Sequence, residues 1–183
     1  MAEEDATVDD GARENEHEHT SPEPELLHGV PVTDSLGQAV LHPSREQLID
    51  LVVALAADGF HMCLDLTGVD YLRGAPRDLP AGIEAERFEV VVTLINHERR
   101  ERIRLRVQVR ESDPTCPTLV ALHPGAEAHE RETYDMFGIE FDGHPDPSRI
   151  LMPEDWDGHP LRKDDGVGAI PVEFKGAGRE VRP

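Results

Sequence analysis

The segment 100–110 alternates strictly between apolar and polar residues. Its apolar side chains, Ile103, Leu105, Val107 and Val109, face one way, and Arg102, Arg104, Arg106, Gln108 and Arg110 face the other. A period of two is typical of a half-buried β-strand. The preceding segment 86–97 is rich in β-branched residues, and a short turn at 97–100 joins the two. They therefore predict an antiparallel hairpin.

Helical periodicity occurs in two segments. Apolar residues recur at helical spacing in 44–57, where Ser44 and Gln47 form a capping-box pattern. Segment 125–137 predicts a second helix, which Gly138 ends. Residues 61–72 predict a short inner strand, 77–82 a loop and 117–122 a single helical turn. The predicted fold is α+β: one compact domain with a mostly antiparallel sheet and two main helices.

The two ends of the chain lack this periodicity. Residues 1–25 hold ten acids and one arginine, and such a segment buries too little apolar surface to offset its ordering entropy. We expect a disordered acidic tail over 1–35 and a core domain over 36–141. Residues 142–183 are rich in Gly and Pro and carry apolar residues at irregular intervals. They predict an extended C-terminal arm that lies on its own domain or on a partner.

Charge and composition exclude several classes of protein. The formal net charge of −20 disfavours binding to nucleic acids or to an anionic membrane surface. The longest apolar run, 51–57, is far shorter than the ~20 residues of a membrane-spanning helix, and no signal peptide is visible. Cys63 and Cys116 are isolated, which favours small buried residues in a reducing cytosol over a disulfide or metal framework.

The arginine-rich face of segment 100–110 is open to two interpretations. It is a solvated outer face whose arginines pair with acids on neighbouring strands, such as Glu89, or it is a surface that meets an acidic partner protein.

The stretch HERETYD at 129–135 contains candidate acid–base residues. A zinc-protease motif would need His at position 133, where Thr133 stands. Glu130 and Glu132 point to different sides of a helix, whereas Arg131 and Asp135 are four residues apart and are expected to pair. The stretch therefore predicts a charged helix surface. No nucleophile elbow, phosphate-binding loop or dinucleotide-binding motif occurs in the sequence.

The tetrapeptide DGHP occurs at 142–145 and again at 157–160. One interpretation is a metal site in which His144 and His159 converge with Asp142 or Asp157, and the chain would then be a stand-alone metalloenzyme. The other is two bends of an extended arm, because Asp-Gly favours turns and a proline holds the preceding residue extended. Turn chemistry favours the second interpretation, in which the histidines are hydrogen-bonding residues.

The run 130–164 strongly resembles the thirty-kilodalton subunit of respiratory NADH-quinone oxidoreductase, which is the C subunit of complex I. The matching pieces are Glu130-Arg131-Glu132, Asp135-Met136-Phe137-Gly138, Gly143-His144-Pro145, Arg149-Ile150-Leu151 and Gly158-His159-Pro160-Leu161-Arg162-Lys163-Asp164. A weaker resemblance extends over about 42–175 and leaves out the acidic N-terminus. Ala128, Ser148 and Asp165 depart from the family pattern, and we expect them to weaken the packing of the arm.

The resemblance implies a peripheral-arm subunit on the cytoplasmic face of a membrane complex that passes electrons from NADH to quinone and translocates protons. It implies that FMN, iron–sulfur clusters and quinone are bound by other subunits, and that this chain docks on the D and B subunits, and also on the I subunit. The residues expected to dock are those of the motif: Glu130, Arg131, Glu132, Asp135, His144, Arg149, His159, Arg162, Lys163 and Asp164. A related subunit of a membrane-bound hydrogenase or formate hydrogenlyase is the alternative.

Overall fold

The computed structural model describes residues 24–74 and 76–166 of the chain. Its strands are β1 (Leu26–Leu27), β2 (Val30–Ser35), β3 (Gln38–Leu41), β4 (Met62–Asp70), β5 (Phe88–Asn96), β6 (Glu101–Val109), β7 (Thr115–Pro117) and β8 (Glu140–Asp142). Its helices are α1 (Leu48–Ala57) and α2 (Ala126–Phe137). Six strands form one sheet in the order β1-β2-β3-β6-β5-β4, and β7 and β8 form a separate pair. The predicted α+β domain is confirmed.

The predicted hairpin is the centre of the sheet. β5 and β6 pair antiparallel along their whole length, from Phe88 opposite Val109 to Asn96 opposite Glu101. The alternating apolar residues of both strands are buried in one core together with side chains of α1 and α2. Both helices therefore cover the same face of the sheet, and the arginine-bearing face of β6 lies on the other side.

Helix α1 begins at Leu48, four residues after the predicted start. The capping-box hydrogen bonds are nevertheless present: the N–H of Ser44 donates to Oε1 of Gln47 at 3.0 Å, and the N–H of Gln47 donates to Oγ of Ser44 at 3.3 Å. These bonds close a turn at 45–47, from which the regular helix continues.

Helix α2 packs directly on β4 at a glycine. A Cβ atom added to Gly68 would lie 2.8 Å from the ring of Phe137 and 3.1 Å from Cγ2 of Thr133, so the absence of a side chain sets this close approach. Gly138 ends the helix in the left-handed conformation (φ 67°), as the sequence predicts.

One boundary and one strand position predicted from the sequence are wrong. Residues 26–35, assigned to the disordered tail, form β1 and β2, because Val30 is buried and β2 pairs with β3. The strand expected to be inner, β4, is at the edge of the sheet and pairs only with β5. Its apolar residues are explained by α2, which covers one of its faces. The tail over residues 1–23 lies outside the described residues.

Candidate functional site

The arm (residues 142–183, described as far as 166) is held on α2 by the carboxylate of Asp135. This side chain is fully buried. Its Oδ2 accepts the backbone N–H groups of Ile150, Leu151 and Met152 at 3.1, 2.7 and 2.8 Å. Its Oδ1 accepts Nη1 of Arg149 at 2.6 Å. One carboxylate of the helix thus fixes four consecutive residues of the arm.

The charge of Asp135 suits this role. Burial by itself raises the pKa of the carboxyl, but the three backbone N–H donors and the Arg149 guanidinium lower it by more. The net pKa lies below the ordinary value, so Asp135 is ionised at neutral pH. Its hydrogen bonds to the arm are therefore charge-assisted, and these are stronger than neutral ones.

The arm returns to the C-terminal end of α2 at His159 and Arg162. Nδ1 of His159 bonds the backbone carbonyl of Asp135 at 3.0 Å, and Nε of Arg162 donates to the carbonyl of Phe137. Arg162 also donates to the carbonyl of Gly138, at 3.3 Å. These bonds satisfy carbonyls at the end of the helix that have no partner within it.

Arg87, in the loop before β5, joins the arm to the sheet. Its guanidinium lies 3.0 Å from Oδ2 of Asp70, at the end of β4, and 2.5 Å from Oδ1 of Asp164, in the arm. The backbone N–H of Lys163 donates to the same Oδ2 of Asp70 at 2.8 Å. Two of the predicted residues, Lys163 and Asp164, are therefore bound to the sheet by backbone and side chain respectively.

Arg131 also binds the arm, contrary to its expected pairing with Asp135. Its Nη2 donates to Oγ of Ser148 at 2.8 Å and its Nε to the carbonyl of the same residue at 3.1 Å. The predicted Arg131–Asp135 pair is wrong because Asp135 points into the protein and binds Arg149. Asp165, expected like Ser148 to weaken the arm, also forms a hydrogen bond within it: its Oδ2 accepts the N–H of His159 at 2.8 Å.

Glu130 is the second fully buried acid of α2, so the prediction of a charged helix surface is wrong here too. It accepts Oγ1 of Thr118 at 2.5 Å and the N–H of Leu119 at 2.7 Å. Burial raises its pKa, although these donors and His144 partly oppose the shift. Glu130 lines a cavity of about 390 Å³ between α2 and the start of the arm.

Both DGHP histidines are hydrogen-bonding residues, as turn chemistry predicts. Nε2 of His144 bonds the carbonyl of Glu127 at 3.1 Å, as His159 bonds that of Asp135. Gly143 and Gly158 have φ values of 85° and 91°, which fit turns at both copies. Within residues 24–74 and 76–166, no three His, Cys, Asp or Glu side chains converge as metal ligands.

The outer side of the arm exposes three large apolar side chains among its polar ones. Ile150, Leu151 and Leu161 are 41%, 58% and 47% exposed, although the backbone of each donates a hydrogen bond to α2 or its side chains. The side chains of Glu132 and Lys163 are also exposed, and neither forms an ion pair within the part of the chain that the structure describes. Of the ten motif residues, these two alone are exposed without an ion pair in that part, because the exposed Asp164 is paired with Arg87.

On the opposite face of the sheet, two of the arginines of segment 100–110 pair with acids. Nε of Arg106 lies 2.7 Å from Oε1 of Glu89, and Arg77, from the loop before β5, lies 2.9 Å from Oε2. Arg110 pairs with Glu86 at 3.3 Å. The interpretation of this face as one paired with neighbouring acids is confirmed for Arg106 and Arg110.

Sequence reasoning did not find the complete burial of Glu89 or the pair formed by Arg87 and Asp70. Glu89 stands on the polar side of its strand, so the alternation places it correctly but gives no sign that the loop carrying Arg77 covers it. Arg87 and Asp70 are 17 residues apart, and only the pairing of β4 with β5 brings them together. None of the helices described is long and apolar enough to cross a membrane.

Comparison with known proteins identifies the family. Residues 41–169 match the family described as "Respiratory-chain NADH dehydrogenase, 30 Kd subunit". A relative from Saccharopolyspora erythraea, named as the C subunit of NADH-quinone oxidoreductase, is 44% identical over 83% of this chain. The chain spans 58% of the length of that relative. A relative of the same name from Roseiflexus castenholzii is 48% identical over 75% of each chain.

Two solved structures resemble the chain in fold. The trypsin-resistant fragment of Nqo5 is 38% identical and has a TM-score of 0.57, with 64% of this chain and 89% of the fragment covered. A chain of the archaeal membrane-bound sulfane sulfur reductase, a respiratory membrane complex, shares the fold with a TM-score of 0.58 and 23% identity, over 76% of this chain and 79% of that one. The arm on α2 lies within the matched region, and the chain belongs to the 30 kDa subunit family of respiratory-chain NADH dehydrogenase.

Proposed function

We propose that the chain is a structural subunit, without an active site of its own, in the peripheral arm of an NADH-quinone oxidoreductase. The complex passes electrons from NADH to quinone and couples this to proton translocation. FMN, iron–sulfur clusters and quinone are bound by other subunits and none by this chain. The protein lies at the cytoplasmic face of the cell membrane as a peripheral subunit.

The observation that carries the proposal is the exposed apolar side of the arm. Exposed leucines on loose loops are common, but here Leu151 and Leu161 stand on backbone that buried groups hold in place. A preorganised apolar surface binds a partner with a smaller entropy cost than a segment that folds on binding. The names of the relatives, which are subunits of the same oxidoreductase, point to the other subunits as the partners.

The D and B subunits are the proposed neighbours, together with the I subunit and further peripheral-arm subunits. Ile150, Leu151 and Leu161 supply the apolar contact, and Glu132 and Lys163 supply charges at its rim. An apolar centre with a polar rim is the usual arrangement of protein interfaces.

Gentle purification from membranes of a tagged full-length chain tests this assignment. We expect the D and B subunits to co-purify, as identified by mass spectrometry. Recovery of the chain without them contradicts the proposal. Recovery with a nickel-binding large subunit instead would assign the chain to a membrane-bound hydrogenase or formate hydrogenlyase.

Two apolar substitutions test the docking surface itself. Leu151→Ser with Leu161→Ser should reduce the co-purified subunits strongly and leave the melting temperature of the isolated chain within a few degrees, because both side chains are already exposed. Val53→Ser is the matched control, since Val53 is 51% exposed on α1, away from the arm. An equal loss in both variants contradicts docking through the arm.

Substitutions of Arg162 and Lys163 distinguish the residues that hold the arm on α2 from those that contact a partner. Arg162→Ala removes donors to the end of α2 and should weaken the fold of the arm as well as assembly. Lys163→Ala leaves the backbone bond to Asp70 in place, so we expect the unfolding free energy to change by less than about 0.5 kcal/mol. Complex abundance on native gels should fall in both variants, and unchanged abundance in Lys163→Ala contradicts its role at the rim.

A further inference from the structure

Two turns lie side by side at one end of the sheet. β3 and β6 run parallel, with Ala39 opposite Ile103, and each begins directly after a turn. The turn before β3 contains Leu36 and Gly37, and the turn before β6 spans residues 97–100. The tips of two hairpins therefore form one surface, which we call the tip surface.

The tip surface carries a leucine in an unfavourable conformation. Leu36 is fully exposed and has a φ of 56°, in the left-handed region that residues other than glycine avoid. Arg100 in the neighbouring turn has the same φ of 56°. Left-handed backbone at a residue with a side chain costs of order 1 kcal/mol or more, and such residues cluster where surfaces bind.

The same surface carries an excess of positive charge, because Arg99, Arg100 and Arg102 outnumber the two acids of this stretch, Glu98 and Glu101. Arg99 is 58% exposed and its nearest acid, Glu101, is 4.0 Å away. Arg100 and Arg102 are exposed and form no ion pair with any residue in the described ranges. Arg87 and Arg106 differ, since each contacts an acid within 3.0 Å. The chain as a whole has a net charge of −20, so three arginines within four residues stand out from the prevailing negative charge.

A groove connects these arginines to the N-terminal end of the described chain. Its volume is about 780 Å³, and its lining includes Leu27, Leu36, Phe60, Arg99 and Arg102. Leu27 belongs to β1 and stands four residues after Glu23. The groove thus opens next to the point at which residues 1–23 join the domain.

Residues 1–23 have the complementary charge. They contain nine acids, namely Glu3, Glu4, Asp5, Asp9, Asp10, Glu14, Glu16, Glu18 and Glu23, and the single basic residue Arg13. A tether of about 20 residues has a root-mean-square reach of roughly 25 Å, and tethering gives the segment an effective concentration near the groove in the millimolar range.

We propose that residues 1–23 bind intramolecularly to the tip surface, with their carboxylates on Arg99, Arg100 and Arg102. The chain's own acidic segment fits better than an anionic membrane, because a net charge of −20 would be repelled by such a surface. The segment balances the excess positive charge of the tip surface and covers the exposed Leu36 beside it.

Backbone amide chemical shifts of the ¹⁵N-labelled full chain test the proposal. They are compared with those of a variant whose N-terminal acids are partly neutralised by Asp9→Asn, Asp10→Asn, Glu14→Gln, Glu16→Gln and Glu18→Gln. We expect the amides of Leu36, Arg99, Arg100 and Arg102 to shift between the two proteins, and that of Arg110, at the other end of β6, to stay unchanged. Raising the salt from about 0.05 to about 0.5 M should abolish the difference, because screening shortens the Debye length to roughly 4 Å.

A matched pair of arginine variants localises the contact. Arg100→Gln should weaken binding about two- to fivefold, the factor for one exposed ion pair, and reduce the shift difference accordingly. Arg110→Gln removes an exposed arginine at the other end of the same strand and should leave the difference intact. Absence of any shift difference, or an equal reduction in both variants, overturns the proposal.

Two further outcomes assign the tip surface to another occupant and also overturn the proposal. Shifts that depend on protein concentration would show that the segment binds a second copy of the chain. Co-sedimentation of the full chain with phosphatidylglycerol vesicles, lost in Arg100→Gln and kept in Arg110→Gln, would show that the surface binds a membrane.

Discussion

In the β5–β6 hairpin, eight alternating apolar side chains are buried against the helices: Phe88, Val90, Val92, Leu94, Ile103, Leu105, Val107 and Val109. In the arm, residues 148–164 are held mainly by polar groups, above all by Asp135, Arg131 and Arg87. The hairpin's stability is spread over many similar contacts. The arm depends on a few specific ones, so we expect single substitutions to affect the two regions in different ways.

The largest local effect is expected from Asp135→Ala. The change leaves Arg149 and three backbone N–H groups without their acceptor, and breaking a buried ion pair costs about 3–5 kcal/mol. Hydrogen exchange at Ile150, Leu151 and Met152 should accelerate at least about hundredfold, and exchange at Val92 much less. Asp155→Ala, at an exposed acid of the arm, is the control, and similar acceleration there would contradict the comparison.

Leu105→Ala tests the hairpin. Leu105 is fully buried opposite Val92, and removing a buried leucine side chain costs about 2–5 kcal/mol. The loss should appear in urea unfolding of the whole domain, with arm and sheet amides affected together. Loss of hydrogen-exchange protection at the sheet amides alone, with the arm amides still protected, would contradict this prediction. The arm would then be stable without the domain.

Gly68→Ala tests the connection between the two regions, because α2, which binds the arm, packs there on β4, which pairs with the hairpin. The added Cβ would lie 2.8 Å from the Phe137 ring, and overpacking of this kind costs about 1–3 kcal/mol. Gly125→Ala is the matched control, because a Cβ there meets no atom within 4 Å and φ is −66°. Equal losses of unfolding free energy in urea for the two variants would contradict the close approach of Gly68 to Phe137.

The smallest effects are expected from pH, with opposite signs for the two buried acids of α2. The pKa of Asp135 is lowered, so its contribution to stability is present above about pH 3.9 and is lost as the pH falls through the folded-state value. The pKa of Glu130 is raised by folding, so its ionisation destabilises the folded state at pH values above about 4.3, the ordinary pKa of a glutamate. This penalty disappears as the pH falls towards that ordinary pKa.

The Glu130→Gln variant separates these two contributions. Its unfolding free energy in urea should exceed that of the parent chain at pH 7, and the difference should shrink as the pH is lowered to about 4.5. The arm amides should lose protection only at lower pH still, in both proteins. A Glu130→Gln variant with an unchanged pH profile would show that Glu130 is not buried as a charged group at neutral pH.

The longer strands and helices could be predicted because the apolar residues of each recur at strand or helical spacing. The predicted segments 86–97 and 100–110 contain β5 and β6, and 125–137 contains α2. β1, β2 and β3 are not predicted, because β1 has only two residues and the turn between β2 and β3 places Leu36, rather than Asn or Asp, before Gly37. The acids of α2 were misplaced because their donors stand 11 to 17 residues away in segments without a period.

Asp135 lies in the last turn of α2, so the shape of the arm depends on the folded domain beneath it. The carboxylate is in place to accept the N–H groups of residues 150–152 only when the helix is formed and packed on β4. An unfolded domain therefore leaves the backbone at Leu151 without the acceptor that fixes it. The arrangement of the arm's exposed apolar side chains is thus a property of the whole domain and not of the arm sequence alone.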